Sequence, residues 1–149
     1  MTEKSSIENF FEQKKIAVVG VSRSSKKFGN TIFDGLKSKG FTVYAVNRKT
    51  GETDEGIYPD LKSLPEKADS IIVVVKPEEA VNVVKDAVEQ GIRHIWFQQG
   101  AGSPEAVEYC RDNGVNVIDN ECIFMFAEPV TSIHRFHRGL WKLFGRYPK

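Results

Sequence analysis

Short aliphatic segments alternate with amphipathic segments along most of this chain. The clearest aliphatic segment is residues 70–75, where one serine precedes five consecutive branched apolar residues. A strand covered on both faces has this composition, because neither of its faces meets water. Between the aliphatic segments, apolar residues recur at helical spacing, as in Ala80, Val84 and Val88. Strands separated by helices require crossover connections, so the sequence predicts an α/β fold with a doubly wound, mostly parallel sheet.

The pattern predicts five strands, over residues 15–19, 41–46, 70–75, 94–97 and 115–118. It predicts helices over residues 6–13, about 31–38, 77–90 and 103–113. Residues 47–58 are predicted to form a polar loop, and residues 59–67 a short turn or a weak helix. In a sheet of this kind ligands bind outside the carboxyl ends of the strands, so the loops that follow the strands are the candidate site.

Length and composition describe an ordinary globular protein. The chain has 149 residues, of which 40% are hydrophobic and 28% charged, and its net charge is +1. We therefore expect a single domain over residues 1–149, with a core over about 10–125 and a basic aromatic tail over 129–149. The charge gives no reason to expect nucleic acid as a partner, and no apolar run is long enough to span a membrane. We expect a cytoplasmic protein, because the sequence has no visible secretory signal and two cysteines make no disulfide framework.

The loop after the first strand is the strongest candidate for a ligand site. Gly20 ends the strand, and the loop that follows is polar and cationic before a helix begins. Free N–H groups at such a helix start bind anions, so we expect a pyrophosphate here, held by backbone amides, Ser22, Arg23 and Lys27. Gly20 and Gly29 alone do not make the dinucleotide fingerprint G-x-G-x-x-G, so an ordinary NAD site does not fit. The alternative is a solvated polar connection.

The loop after the second strand indicates a phosphorylated ribose. Asn47, Arg48 and Lys49 follow the strand, and no acidic residue appears before Glu52. An Asp or Glu would suit the ribose hydroxyls of NAD, whereas cations suit a ribose phosphate. Both NADP, with its 2′-phosphate, and coenzyme A, with its 3′-phosphate, satisfy this requirement.

The remaining strand-end loops offer polar groups and close backbone approach. Lys76 can reach a phosphate between Val75 and Pro77, although Pro77 also simply starts a helix. Gln98 and Gln99 precede Gly100, and this loop can hold an adenine edge or a pantetheine amide, or can serve only as a turn. Asn120 follows the last strand and can face the same crevice.

Taken together, these segments resemble the small coenzyme A-binding protein family, whose fold is similar to the N-terminal domain of the succinyl-CoA synthetase alpha subunit. The resemblance covers about residues 10–125. It rests on five strings in order: IAVVGVSR at 16–23, GFTVYAVN at 40–47, ADSIIVVV at 68–75, WFQQGAG at 96–102 and VIDNEC at 117–122.

The resemblance implies a Rossmann-type domain that binds coenzyme A along the strand ends. It implies that Ser22, Arg23 and Lys27 lie near the pyrophosphate or pantetheine. It also implies that Asn47, Arg48 and Lys49 lie near the adenosine and its 3′-phosphate. Residues 75–77 would line the path of the adenine or pantetheine, and residues 98–100 its far side. Many members have a proline where this chain has Arg48, so the loop after the second strand departs from the family pattern. The synthetase's phosphohistidine belongs to a second domain, so no synthetase activity carries over.

The tail adds histidines and a run of cations among large apolar groups. His134 and His137 share a helix face and can supply two metal ligands, but surface or packing histidines are the simpler interpretation, so we expect no metal site. We expect the tail to cover the sheet, because its large apolar groups need burial. The alternatives are a homodimer or other protein interface and contact with an anionic surface.

The strand-end loops show no acid–base pair and no activated nucleophile. The sequence therefore predicts a non-catalytic protein that binds coenzyme A or an acyl-CoA as a carrier, sensor or accessory module. Two alternatives remain: a single-domain NADP-dependent oxidoreductase, and an interaction module whose nucleotide pocket is empty.

Overall fold

Six parallel strands and four helices make up the described part of the chain. The computed structural model describes residues 4–21, 28–47 and 56–121. In chain order the elements are α1 (Lys4–Phe11), β1 (Lys15–Val19), α2 (Phe28–Ser38), β2 (Thr42–Val46), β3 (Ile57–Tyr58), β4 (Ser70–Val73), α3 (Pro77–Glu89), β5 (His94–Gln98), α4 (Pro104–Asp112) and β6 (Asn116–Glu121). Among these residues no helix is long and apolar enough to cross a bilayer.

The strands form one sheet in the order β3-β2-β1-β4-β5-β6, and every pairing among them is parallel. This order is that of a doubly wound dinucleotide-binding fold, so the predicted fold class is confirmed. The predicted number of five strands is wrong, because Ile57 and Tyr58 pair with β2 instead of belonging to a loop. A strand of two residues is too short to produce a periodic pattern, so it could not be predicted from local sequence.

Helices cover both faces of the sheet and separate two apolar cores. Inward residues of α3 and α4 pack on one face, with Phe97 of β5 among the buried side chains there. On the other face, α1 and α2 contribute Phe10, Ile32 and Leu36 to a second core around Trp96. The rings of Phe10 and Trp96 meet edge to face, with centroids 5.2 Å apart. The short leading helix α1 therefore covers β5 and β6 on the face where no crossover helix lies in the described residues.

The starts of α3 and α4 follow the predicted chemistry, whereas the start of α2 and the end of β4 differ from the prediction. The Ser103 hydroxyl accepts a hydrogen bond from the Ala106 N–H at 3.2 Å and caps α4, and Pro77 and Pro104 occupy the first positions of α3 and α4. Helix α2 begins at Phe28 instead of near Thr31, and β4 ends at Val73 instead of Val75.

Residues 59–69 form a turn-rich connection from β3 to β4, and the weak helix considered there is absent. The Asp60 carboxylate accepts hydrogen bonds from the backbone and the hydroxyl of Ser63, which closes a tight turn instead. Further along, the Tyr44 hydroxyl donates to Glu66 at 2.5 Å, and Lys15 lies 3.4 Å from the same carboxylate. The hydrogen bond to Glu66 raises the pKa of Tyr44 to about 12. These contacts fasten the connection to β1 and β2.

Candidate functional site

The strand order reverses direction between β1 and β4. From β1 the chain passes through α2 to β2 on one side, whereas β4 leads through α3 to β5 on the other. The loops that leave these two neighbouring strands therefore diverge and open a crevice at the carboxyl edge of the sheet. Helices α2 and α3 both begin at this edge.

Gly20 lies at the floor of the crevice in a conformation that suits only glycine. Its φ is +122°, and a β-carbon at this position would lie 2.5 Å from the carbonyl oxygen of Val74. The Gly20 N–H donates to Val46 O at 2.8 Å, and the Val74 N–H donates to Val19 O at 2.8 Å. Backbone hydrogen bonds thus continue past the ends of β1 and β4 and hold the floor in place.

Gly29 brings the start of α2 against the end of β1. A β-carbon on Gly29 would lie 2.5 Å from the Gly20 carbonyl oxygen, so the two backbones meet without room for a side chain. Close helix-to-strand packing is one of the tasks of the dinucleotide fingerprint's glycines. From the sequence, Gly29 serves only as evidence against that fingerprint. Its contact with Gly20 could not be predicted, because the two glycines are nine residues apart and do not have the spacing of the fingerprint.

The charges on the helix starts distinguish α2 from the other two crossover helices. The first turn of α2 carries no acidic residue. The first turn of α3 carries Glu78 and Glu79, and that of α4 carries Glu105 behind its serine cap. Because carboxylates near a helix start repel an anion that would bind there, α2 presents the most favourable start for a phosphate.

Nine of the predicted site residues lie within the described parts of the chain, and all nine are at the carboxyl edge. Asn47 follows β2 and is half-buried, and its N–H donates to Tyr58 O at 2.9 Å. Lys76 is exposed at the N-cap of α3, with Pro77 next to it, whereas Val75 packs partly against the core. The others are Gly20, Gln98, Gln99, Gly100 and Asn120.

Gln98 and Gln99 differ sharply in exposure. Gln98 ends β5 and is only 2% exposed, whereas Gln99 and Gly100 are exposed beyond it. A ligand on the surface of the edge would therefore meet Gln99 and Gly100 first. Five predicted residues, Ser22, Arg23, Lys27, Arg48 and Lys49, lie outside the described residues, as do Cys122, His134, His137 and the tail.

A groove beside α4 is a feature that the sequence analysis missed. Its volume is about 780 Å³, and it lies between the β5–α4 loop, one side of α4, and β6. Asp119 of β6 lies against Gly102 of the loop, so closely that a β-carbon on Gly102 would collide with the carboxylate. The string Gly100-Ala101-Gly102 indicated close approach, but its partner, seventeen positions later, could not be found from local pattern.

The two most reactive types of side chain in the described residues lie away from the crevice. Cys110 of α4 is buried in the core, and burial raises the pKa of its thiol to about 12. His94 begins β5 at the opposite, amino edge of the sheet, where its Nδ1 lies 3.2 Å from the Asn116 amide nitrogen. Burial lowers the pKa of His94, and the charges of Asp69 and Glu12 oppose that shift. Within the described ranges no group of three or more His, Cys, Asp or Glu residues could hold a metal ion.

Comparison with known proteins decides the family. The family model of the CoA binding domain matches residues 14–128. The chain belongs to this family of CoA-binding domains. The family resemblance read from the sequence is therefore confirmed.

The relatives include large ligases and small proteins of this size. The ADP-forming acetate–CoA ligase I of Archaeoglobus fulgidus is 28% identical over 143 residues, which is 89% of this chain but only 21% of the ligase. A hypothetical protein from Pyrococcus horikoshii OT3 superposes with a TM-score of 0.77 at 28% identity, covering 87% of this chain and 92% of that one. A conserved hypothetical protein from Pyrococcus furiosus is 40% identical with a TM-score of 0.67, covering 74% of this chain and 96% of that one.

Proposed function

We propose that this protein binds coenzyme A or an acyl-CoA at the carboxyl edge of its sheet, as a non-catalytic carrier, sensor or accessory module. The observation that carries the proposal is the close approach of Gly29 to Gly20, within a chain that belongs to the CoA-binding domain family. This approach holds a helix start free of acidic residues beside the switch point, where a diphosphate is bound most favourably.

The strand order suggests how the ligand lies. The diphosphate binds at Gly20 and the start of α2, with Ser22, Arg23 and Lys27 supplied by the connecting loop. The adenosine and its 3′-phosphate extend towards β2, to Asn47, Arg48 and Lys49. The pantetheine extends the other way, over residues 75–77 of the loop after β4, towards Gln98, Gln99, Gly100 and Asn120.

Within residues 4–21, 28–47 and 56–121, the proposal of a non-catalytic role is supported by where the cysteine and the histidine lie. The Cys110 thiol is buried and stays protonated, and His94 is at the far edge of the sheet. A general acid or base must lie within hydrogen-bonding reach of the reacting group, directly or through one water, and neither residue does so at this crevice.

The proposal includes a single cytoplasmic domain over residues 1–149. Homodimer formation through residues 129–149 stays a prediction that light scattering of the full chain tests. A protein partner contacted through the same residues stays a prediction as well.

Thermal unfolding with coenzyme A, dephospho-coenzyme A, NADP and NAD tests the ligand class. A ligand present at a hundred times its Kd adds roughly 2.7 kcal/mol if it binds only the folded state, which raises the Tm by several degrees. We expect the largest shift with coenzyme A. A shift with NADP instead would favour the oxidoreductase alternative, and no shift with any of the four would direct attention to a protein partner.

Charge reversal tests the phosphate assignment at β2. The double variant Arg48→Glu, Lys49→Glu is expected to weaken coenzyme A much more than dephospho-coenzyme A, because the second ligand lacks the 3′-phosphate. The matched control is Lys62→Glu, Lys67→Glu, which changes the net charge equally at two exposed lysines of the β3–β4 connection. Equal losses for both ligands in the first variant would refute the contact, and calorimetric titration measures them.

A further inference from the structure

The groove beside α4 has the size and position of a ligand site that the proposed coenzyme A contacts do not fill. Its volume of about 780 Å³ falls within the range of ~300–1,000 Å³ that is usual for small-molecule sites. Its mouth lies at Gly100, Gly102 and Ser103, next to the carboxyl ends of β5 and β6. From there it follows α4 as far as Arg111 and Asp112, a length of about 12 Å at ~1.5 Å per residue.

The pantetheine arm of coenzyme A has the length needed to reach this groove. Between its phosphate oxygen and its sulfur the arm has about as many bonds as four residues of extended chain, which corresponds to ~14 Å. In the sheet order, β6 lies three strand spacings from β1, which is also ~14 Å at ~4.8 Å per spacing. An arm that starts at α2 and follows the carboxyl edge therefore ends at the mouth of the groove.

We infer that the groove receives the acyl group of an acyl-CoA and selects a short, uncharged, polar acyl group. This inference rests on the proposed function, because it requires the diphosphate to bind at the start of α2.

The charges in the groove disfavour an acyl group that ends in a carboxylate. Among the described residues that line it, the three carboxylates of Glu108, Asp112 and Asp119 outnumber the one guanidinium, that of Arg111. A dicarboxylic acyl group would therefore bring one more negative charge into a surrounding that is already negative. Placing like charges side by side opposes binding.

The groove is equally unsuited to a fatty chain. Val107 and Pro104 are the larger apolar residues among those that line it. A methylene group binds favourably where it is buried among apolar atoms, and most of this lining cannot supply that burial. The Ser103 hydroxyl accepts from the Ala106 N–H, so its own hydrogen is available to donate to a ligand oxygen. A hydroxyl or keto group on a short acyl chain matches this lining.

Calorimetric titration of the full chain with coenzyme A and four thioesters tests the inference. The thioesters are butyryl-, 3-hydroxybutyryl-, succinyl- and octanoyl-CoA. We expect 3-hydroxybutyryl-CoA to bind about five- to tenfold more tightly than coenzyme A, the gain of one added hydrogen bond. Butyryl-CoA, of equal chain length, lacks the hydroxyl and should gain less, and succinyl- and octanoyl-CoA should bind no more tightly than coenzyme A.

A variant that fills the groove tests whether the preference for 3-hydroxybutyryl-CoA arises there. Glu108 is exposed on the groove side of α4, and Glu108→Trp occupies the groove without replacing a core residue. We expect this variant to abolish the advantage of 3-hydroxybutyryl-CoA and to keep the Kd of coenzyme A. Glu105→Trp is the matched control, because Glu105 is an exposed glutamate of α4 outside the groove lining.

The outcomes separate the two proposals. If coenzyme A binds and the hydroxyl advantage is absent or survives Glu108→Trp, the acyl assignment is wrong and the proposed function stands. A preference for octanoyl- or succinyl-CoA overturns the polar, uncharged class. If coenzyme A itself does not bind, the proposed function fails and the acyl assignment fails with it.

Discussion

Replacing Gly29 by alanine inserts a methyl group into the contact between α2 and β1. The new β-carbon would lie 2.5 Å from the Gly20 carbonyl oxygen and 2.9 Å from its carbon, so the backbone of one element must move. Overpacking of this kind costs about 1–3 kcal/mol. Alanine offsets at most about 1 kcal/mol of this cost through its higher helix propensity. Because the atom in the way belongs to the backbone, the cost lies at the upper end of the overpacking range, and we expect a net loss of about 2 kcal/mol, or a Tm lowered by about 4–8 °C for a chain of this size.

Thermal denaturation followed by circular dichroism, together with titration of coenzyme A, measures both consequences. Because the start of α2 moves away from the diphosphate, coenzyme A should bind about tenfold more weakly to the Gly29→Ala variant. Thr31→Ala is the control, since Thr31 is exposed on the same helix and its replacement should change neither quantity appreciably. Wild-type stability in Gly29→Ala would refute the close approach. Lost stability with unchanged affinity would instead refute the use of this helix start as the diphosphate site.

Three further predictions concern the rest of the molecule. Burial lowers the pKa of His94 below its ordinary value of 6.5, so the folded state favours the neutral ring and loses stability as the pH falls below about 6.5. His94→Gln should make the free energy of unfolding, measured by chemical denaturation, depend less on pH between about 7 and 5. The same dependence on pH in the variant and the wild type would contradict this. Burial raises the pKa of the Cys110 thiol to about 12, so this thiol should react with a thiol reagent only after unfolding. Mass spectrometry locates the label, and rapid labelling of Cys110 in the native protein would show that the thiol is accessible. Ser103→Ala should lower stability by about 1 kcal/mol through loss of the α4 cap, whereas Ser103→Asn should retain it.

The elements that could be predicted are those whose signals are local. Runs of apolar residues predicted β1, β4 and β5, because a strand buried on both faces needs apolar residues at consecutive positions. Proline predicted the starts of α3 and α4, and Ser103 predicted the cap of α4, because both signals lie within a few residues of the helix start. The two-residue strand at Ile57 was missed, since it exists only through its pairing with β2. Five of the predicted ligand residues came from the cationic loops outside the described residues, and their assignment stays a prediction.

The sequence by itself determined the fold class, the family and the edge of the sheet that carries the candidate site. Each of these follows from the order and composition of segments along the chain. Only the tertiary structure decided that Gly29 packs against Gly20, that Gly20 lies beneath Val74, and that Asp119 meets Gly102 to bound a groove beside α4. These contacts join residues from 9 to 54 positions apart. They depend on which strands become neighbours, and that is fixed by packing the whole sheet between its helices.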